Sequence, residues 1–571
     1  MKEATLSPWW KQYKEAAQVE IDGHEKNQTW TLVPISSVPP GKNILRGKFV
    51  FDDKRGEDGK VVRYKARFVA MGFTQRYGED YYETFAAVVV TKSFRIMLAI
   101  LNEKATHEME HWDVKMAFTK APVDEELFMY QPEGFEKKAK ENANRLVCRL
   151  LKSLYGLKQS AFNWQKLLAE IFGEMGFVPL FSDPCLFYSK VGNGFCLVGV
   201  HVDDIFPLYN LEGKYLRDKL FRNFEKYVEI ESLGNVSWAL KTSIQSDRVG
   251  GILKISQQLF CEEFLASRKI NLADAVGIPS FVSGPDAQMT DSDICDETLK
   301  PGVQSDIGSM WWLAQISRPD IFYAVHRCSK FQNRPCLKLL RWLAQIKKYL
   351  MGTTNLGIVF KRPSNGAPLL SGFVDAAFAA EEGAKSRLGW FFNFQGCLVA
   401  WASENPSRIM TSSTEVECRG LSQFAKENLW QRQLQMELGI YEIFEPTKVF
   451  EDNTASITMS VNPGVPHKRS KHFGIEWAMF KEMVEFGEIL PTYVSTTEQP
   501  ADMMTKALPI KPFVYFRDMI MGDVKSQRHF ADDKCMNEAK AIGTKAVGAK
   551  TIITKAMTLD KPNSNGGRIC Q

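Results

Sequence analysis

Two adjacent carboxylates, Asp203 and Asp204, are the only charges in the apolar run Phe195-Cys-Leu-Val-Gly-Val-His-Val-Asp-Asp-Ile-Phe-Pro-Leu. Each apolar half has the length of one buried strand, so the run reads as two short strands joined by a tight turn carrying the acids. Desolvation and mutual repulsion raise the pKa of carboxylates held against an apolar wall, and a divalent cation supplies the compensating charge. Taken alone, an ordinary Asp-Asp turn fits the same residues. A third acid, Asp113, ends the strand-like His111-Trp-Asp, ninety residues before Asp203. Two metals held by acids from separate strands are what nucleotidyl transfer needs: one activates an attacking 3′-hydroxyl, the other steadies the triphosphate and leaving pyrophosphate. Mg2+ prefers hard oxygen ligands and keeps open positions for substrate, so few carboxylates suffice.

A second constellation follows in Gly372-Phe-Val-Asp, Ser412-Ser-Thr-Glu-Val-Glu, Phe450-Glu-Asp-Asn and Gln499-Pro-Ala-Asp, which supply Asp375, Glu417, Asp452 and Asp502. Strands to either side of Asp375 and Asp452, with helices starting near Ser413 and Ala501, predict a mixed α/β layer whose acids converge at one sheet edge. Four acids can hold two metals, one activating a water and one stabilising a departing 3′ oxygen. Any single one of them also reads as a helix cap or a turn.

The elements that must position these acids follow from patterning. Trp9 to Trp30 has the spacing of one amphipathic helix, followed by a connection rich in proline at Pro34, Pro39 and Pro40. From Lys42 to Arg76 there are ten Lys/Arg against four Asp/Glu, with alternation around Lys48-Phe-Val-Phe and Tyr64-Lys-Ala-Arg-Phe-Val-Ala and a turn at Gly56 to Gly59. This predicts a basic hairpin on which Lys65 and Arg67 would grip phosphates; a solvated charged face has the same composition. Ile252 to Leu272 predicts a strand and a helix, and Gly277 to Lys300 a polar linker. The Trp311-Trp312 pair and the helix through Arg341 to Leu350 read as packing, not chemistry. Lys540, Lys545, Lys550 and Lys555 recur every five residues, about 500° of helix per step, so they form no single face; a disordered basic tail over 512–571 is expected.

At 571 residues, 44% hydrophobic and 24% charged, the chain has room for about three or four globular domains. A net charge of +5 is small for this length, so nucleic-acid binding must come from local basic patches. The 11 cysteines include no C-x-x-C pair and no cluster at zinc spacing, which points to reduced thiols inside the cell. The N-terminus lacks the apolar core of a signal peptide, and no run approaches the roughly 20 apolar residues of a membrane span. Neither secretion by that route nor membrane embedding is expected.

Six segments in order, Tyr64-Lys-Ala-Arg-Phe-Val-Ala-Met-Gly-Phe-Thr-Gln, Asp80-Tyr-Tyr-Glu-Thr-Phe-Ala-Ala-Val, Asp113-Val-Lys-Met-Ala-Phe, Gln131-Pro-Glu-Gly-Phe, Leu154-Tyr-Gly-Leu-Lys-Gln and His201-Val-Asp-Asp, resemble the reverse transcriptase of copia-type LTR retrotransposons. The likeness runs from about Trp9 to Pro512. It implies an α/β and α+β multidomain chain: a right-hand polymerase (fingers, palm and start of thumb, 1–250), a thumb/connection region (251–365) and a ribonuclease H-like domain (366–511). By the same resemblance Asp113, Asp203 and Asp204 are the polymerase metal-site acids, Asp204 the most peripheral, with the backbone carbonyl of Val114 a further ligand. Phe118 would lie under the incoming sugar and exclude a ribose 2′-hydroxyl. Lys158 and Gln159 would contact the nucleotide. The second constellation resembles ribonuclease H, which implies metal-holding roles for Asp375, Glu417, Asp452 and Asp502 and recognition of the hybrid by 2′-hydroxyl contacts and groove shape. Lys468, Arg469 and Lys471 of His467-Lys-Arg-Ser-Lys-His would face nucleic acid; a plain solvated loop reads the same way. The implied cofactor is Mg2+, two per active site, with Mn2+ as a substitute. Implied partners are an RNA template, a DNA primer and product, an RNA–DNA hybrid, deoxynucleoside triphosphates, and other Pol polyprotein parts or a second copy. The implied setting is the cytoplasm, in a retroelement particle, with a nuclear phase.

The chain departs from the family pattern at four places. His201 stands where Tyr is usual, Glu231-Ser-Leu-Gly where Lys-Asp-Leu-Gly is common, Trp238-Ala-Leu-Lys where Phe-Leu-Gly is common, and Ala377 where Asp375 is usually followed by a second acid. If a lysine at the second of these protonates leaving pyrophosphate, Glu231 is no substitute, though Lys226 lies close in sequence. No histidine in Tyr493 to Asp502 matches the mobile one that some ribonucleases H carry. Glu231, Lys241 and the tail motivate an alternative: a decayed or domesticated copy that binds nucleic acid without catalysis. The lack of a zinc knuckle, an aspartic protease triplet and an integrase zinc motif motivates a third reading, a piece of a larger polyprotein.

Overall fold

Alternation at Gly47–Arg55 (β1) and Val61–Ala70 (β2) closes an antiparallel hairpin in which Asp52 faces Lys65 and Val50 faces Arg67. Ala66, Phe68 and Ala70 turn inward, against Ala17 and Ile21 of α1 (Trp10–Lys26), while Lys65 and Arg67 stay half-buried on the other face. The computed structural model describes residues 7–55, 61–138, 145–284, 287–289, 295–462 and 474–522, so the turn expected at Gly56 to Gly59 lies outside the described residues. The chain divides into two units: Met1–Leu240 with Ile244–Gly251 and Trp430–Glu442, and Lys241–Ser243 with Ile252–Leu429 and Ile443–Gln571.

The main sheet of the first unit is antiparallel throughout. Its strands are β3 (Glu108–Val114), β4 (Val178–Pro179), β5 (Leu186–Val191), β6 (Gly194–His201), β7 (Asp204–Tyr209) and β8 (Ile230–Asn235), in the order β8-β3-β7-β6-β5-β4. Strand alternation sends Trp112, Val114, Cys196, Val198 and Val200 into a core closed by Trp164, Leu168 and Phe172 of α2 (Ser160–Glu174) and Leu216, Leu220 and Phe224 of α3 (Lys214–Tyr227). This burial of aromatic and branched side chains on both sides of β6 and β7 makes the acid-bearing turn a rigid rim of the sheet.

In the second unit Lys300–Ile316 (α4), Phe322–Ser329 (α5) and Leu337–Met351 (α6) pack together, and Trp311 meets Phe322 with ring centroids 5.0 Å apart. Between α4 and α5 the buried Arg318 donates to both carboxylate oxygens of Asp320, and Tyr349 Oη donates to Asp320 Oδ2 at 2.6 Å. A five-stranded sheet follows, made of β9 (Leu370–Glu381), β10 (Lys385–Phe394), β11 (Cys397–Glu404), β12 (Thr447–Glu451) and β13 (Ile489–Tyr493), in the order β11-β10-β9-β12-β13. The first three strands are antiparallel, and β12 and β13 run parallel to β9. This three-plus-two pattern is the mixed layer expected of a ribonuclease H-like domain, with one correction. Asp375 lies on β9 and Asp452 directly follows β12, two adjacent inner strands and not an edge strand, beyond the point where their parallel pairing stops at Phe373–Phe450.

The tail expected from 512 also needs correction. Ile510–Met521 is a helix, α7, that buries Phe513, Phe516 and Met521 and sets Phe513 against Tyr349 at 5.6 Å, an apolar periodicity that the later lysines hide. The rest of that tail, with the lysines at 540 to 555, lies outside the described residues. The nine described cysteines are free thiols, and no helix among the described residues is long and apolar enough to cross a membrane.

Candidate functional site

The β6–β7 turn consists of Val202 and Asp203, with Val202 held at φ +57°, a conformation that costs a β-branched residue energy and therefore needs support. Trp164 Nε1 donates to Val202 O at 2.8 Å, and Val114 N donates to Asp203 O at 3.1 Å. The same strand pairing puts Asp204 opposite Asp113. The three acids expected to hold metal therefore meet across β3 and the β6–β7 turn. Asp203 Oδ1 is buried without a hydrogen-bond partner, and the Asp203 carboxyl is pushed up to about 6 by burial and by the charges of Asp113 and Asp204. The unpartnered Asp203 oxygen, with the charges of Asp113 and Asp204 acting on it, suits a hard divalent cation, but the three acids do not close into a cage of mutually adjacent ligand oxygens. Asp204 is turned aside: its Oδ1 lies 2.7 Å from His111 Nε2, and the imidazole stacks on Phe206. The role of His111 was not legible in the sequence, because it depends on the β3–β7 register.

The charges of Lys65 and Arg67 act at Asp203, lowering its pKa against the burial, which sets the basic hairpin near the acids. Phe118 packs edge-on against Tyr155 at 5.1 Å and lines a cavity of about 60 Å3 with Val202, Trp164, Phe187 and Ala161. Lys158 is exposed, with Nζ 3.0 Å from Tyr81 Oη. Gln159 requires correction. It is fully buried, accepting from Gln75 Nε2 at 3.0 Å and donating to Asp80 O at 2.8 Å and Asp124 Oδ1 at 3.2 Å, so both ends of its amide brace the protein and neither is free for nucleotide. Glu231 sits opposite Asp113 on β8 and is paired with Lys115 at 3.5 Å. Lys226 is instead bonded to Asn223 on α3. Lys468, Arg469 and Lys471 lie outside the described residues.

In the second unit Asp375 comes from β9, Asp452 from the residue after β12, Glu417 from the second turn of the helix Ser413–Leu438 (α8), and Asp502 from the start of the one-turn helix Asp502–Thr505 (α9). Ligand oxygens of Asp375, Glu417 and Asp452 all lie within 4.8 Å of one another. Thr505 Oγ1 donates to Asp375 Oδ2, and Thr496 Oγ1 donates to Asp452 Oδ2 at 2.7 Å. Burial raises the pKa of Asp375 and raises that of Glu417 strongly, with Glu451, Asp375 and Asp452 adding to the rise at Glu417. Asp502 is raised to about 7 by burial and by Asp375, against the pull of Lys506. Glu417 Oε2 is buried without a partner, and three acids converging on such an oxygen again fit a divalent cation. Two neighbours went unassigned in the sequence. Glu451 is completely buried, its Oε1 accepting from Asn453 N at 3.0 Å, and period-two alternation along β12 was the available signal. Lys506, four residues after Asp502, had no such signal.

The family "Reverse transcriptase (RNA-dependent DNA polymerase)" matches residues 27–281. The Retrovirus-related Pol polyprotein from transposon TNT 1-94 of Nicotiana tabacum is 32% identical over 91% of this chain and 38% of its own length. That from transposon RE1 of Arabidopsis thaliana is 32% identical over 89% of this chain and 34% of its own. The chain thus spans little more than a third of these relatives. Among solved structures, LC11-RNase H1, isolated from compost, is 13% identical over 24% of this chain and 91% of its own, at a TM-score of 0.19. The reading of the second unit therefore rests on its own strand order and acids.

Proposed function

Because this chain belongs to the copia-type LTR retrotransposon Pol polyproteins, we propose that it couples template-directed DNA synthesis by the first unit to removal of the template RNA by the second. One observation supports this above the rest: each unit brings together acids distant in sequence around a carboxylate oxygen without a hydrogen-bond partner, that of Asp203 in the first and that of Glu417 in the second, and in the second three acids close into a cage. Divalent cations bound there supply Lewis-acid activation of an attacking oxygen and stabilisation of a leaving one. In the first unit Asp113, Asp203 and Asp204 would hold them, with the Val114 carbonyl beside them. Lys65, Arg67 and Lys158 would attract and orient the triphosphate of a deoxynucleoside triphosphate. The ring of Phe118, fixed by Tyr155, would take the space of a ribose 2′-hydroxyl. In the second unit Asp375, Glu417 and Asp452 would hold a cation against the RNA strand of an RNA–DNA hybrid, with Asp502 adjoining them through Asp375. The test is extension of a DNA primer on an RNA template with Mg2+ or Mn2+, using Asp203→Ala as control. Product from the natural chain and none from Asp203→Ala is expected. No product from either would leave a copy that binds nucleic acid without catalysis.

A further inference from the structure

Four acids were assigned to the second site, yet the structure groups only three of them. Asp375, Glu417 and Asp452 form the cage within 4.8 Å. Asp502, itself buried, is hydrogen-bonded to Asp375 of the cage and also forms an ion pair, its Oδ1 lying 2.6 Å from Lys506 Nζ. Lys506 caps α9, donating its own N–H to Asp502 O at 3.0 Å, and this brings its side chain back toward the Asp502 carboxylate. The ammonium charge also acts on Asp375, opposing the effect of its burial. Removing the ammonium would leave the buried Asp502 carboxylate without this compensating charge.

We infer that Lys506 is a built-in counter-cation of this site, so that the cage takes one divalent cation and the lysine stands where a second would bind at Asp502. The inference rests on the ribonuclease H reading of the acids. A second divalent cation at Asp502 would have to displace, or sit beside, a positive charge already bonded to its ligand.

The test is Mn2+ titration of the full chain carrying Asp113→Asn and Asp203→Asn to silence the first site, read by the free-Mn2+ electron paramagnetic resonance signal. One Mn2+ is expected, lost on adding Asp452→Asn. Lys506→Met is expected to admit a second, with an affinity within about tenfold of the first, and Lys506→Arg to keep the count at one. Melting in chelator checks that each variant is folded, and Lys506→Gln replaces Lys506→Met if the latter is not. Two Mn2+ in the parent, or one in a folded Lys506→Met chain, would overturn the inference. Hybrid cleavage assayed in parallel on the natural chain tests the underlying reading separately, because the cation count is read without turnover.

Discussion

Asp203 shows how a single residue can be legible in sequence and still carry a cost that only the fold reveals. Its charge stood out because everything near it in the chain is apolar; its burial follows from the Trp164 and Val114 bonds that fix the turn. Folded, its pKa is about 6 against an ordinary 3.8, so between those values the folded chain holds the proton more firmly than the unfolded chain does. The stability of the cation-free protein should therefore fall as pH rises from about 4 to about 6. Asp203→Asn should reduce that slope, the raised acids of the second unit supplying the remainder, and raise the melting temperature at pH 7 in chelator; thermal melts at several pH values check both. An unchanged slope would mean that Asp203 is better solvated than this. His111 and Lys506 were not legible, since a strand register and a one-turn helix bring them to Asp204 and Asp502. Gln159 was misread for the opposite reason: its motif resembles a nucleotide contact, while Gln75, Asp80 and Asp124 surround its amide.

Elements were legible wherever a period of two or 3.6 ran for several residues, and sheet order was not, because pairing between distant strands leaves no local trace. The glycine of Leu154-Tyr-Gly is a case in point. Gly156 sits at φ +90°, and a Cβ there would lie 2.2 Å from Ala70 O, at the end of β2. Gly72 is as tight, its Cβ position 2.0 Å from Gly156 O, and Ala70 N donates to Tyr155 O at 2.7 Å. This glycine contact is what locks the strand bearing Lys65 and Arg67 to the segment bearing Lys158. Gly156→Ala should cost about 3 kcal/mol, combining the left-handed backbone with overpacking, measured by chemical denaturation. A loss under about 1 kcal/mol would show that the loop can yield. The same logic shows what a departure from the family pattern costs: Leu240 and Lys241 both adopt positive φ, +51° and +57°, where glycine would sit without strain.

At the scale of the whole chain, each unit owns a complete set of acids: Asp113, Asp203 and Asp204 in the first, Asp375, Glu417, Asp452 and Asp502 in the second. None of the named hydrogen bonds that orient one set comes from a residue of the other unit. Substitutions without shared partners act additively, so the two proposed activities should separate cleanly. Asp203→Asn should reduce primer extension by about a thousandfold and leave cleavage of a preformed RNA–DNA hybrid within about threefold of the natural chain, while Asp452→Asn should do the reverse. Both rates are measured on the full chain with the same Mg2+. A loss of both activities in Asp203→Asn, in a protein that still melts cooperatively, would mean that the second site works only on a hybrid held by an intact first site. The acids alone would then be insufficient to define either activity.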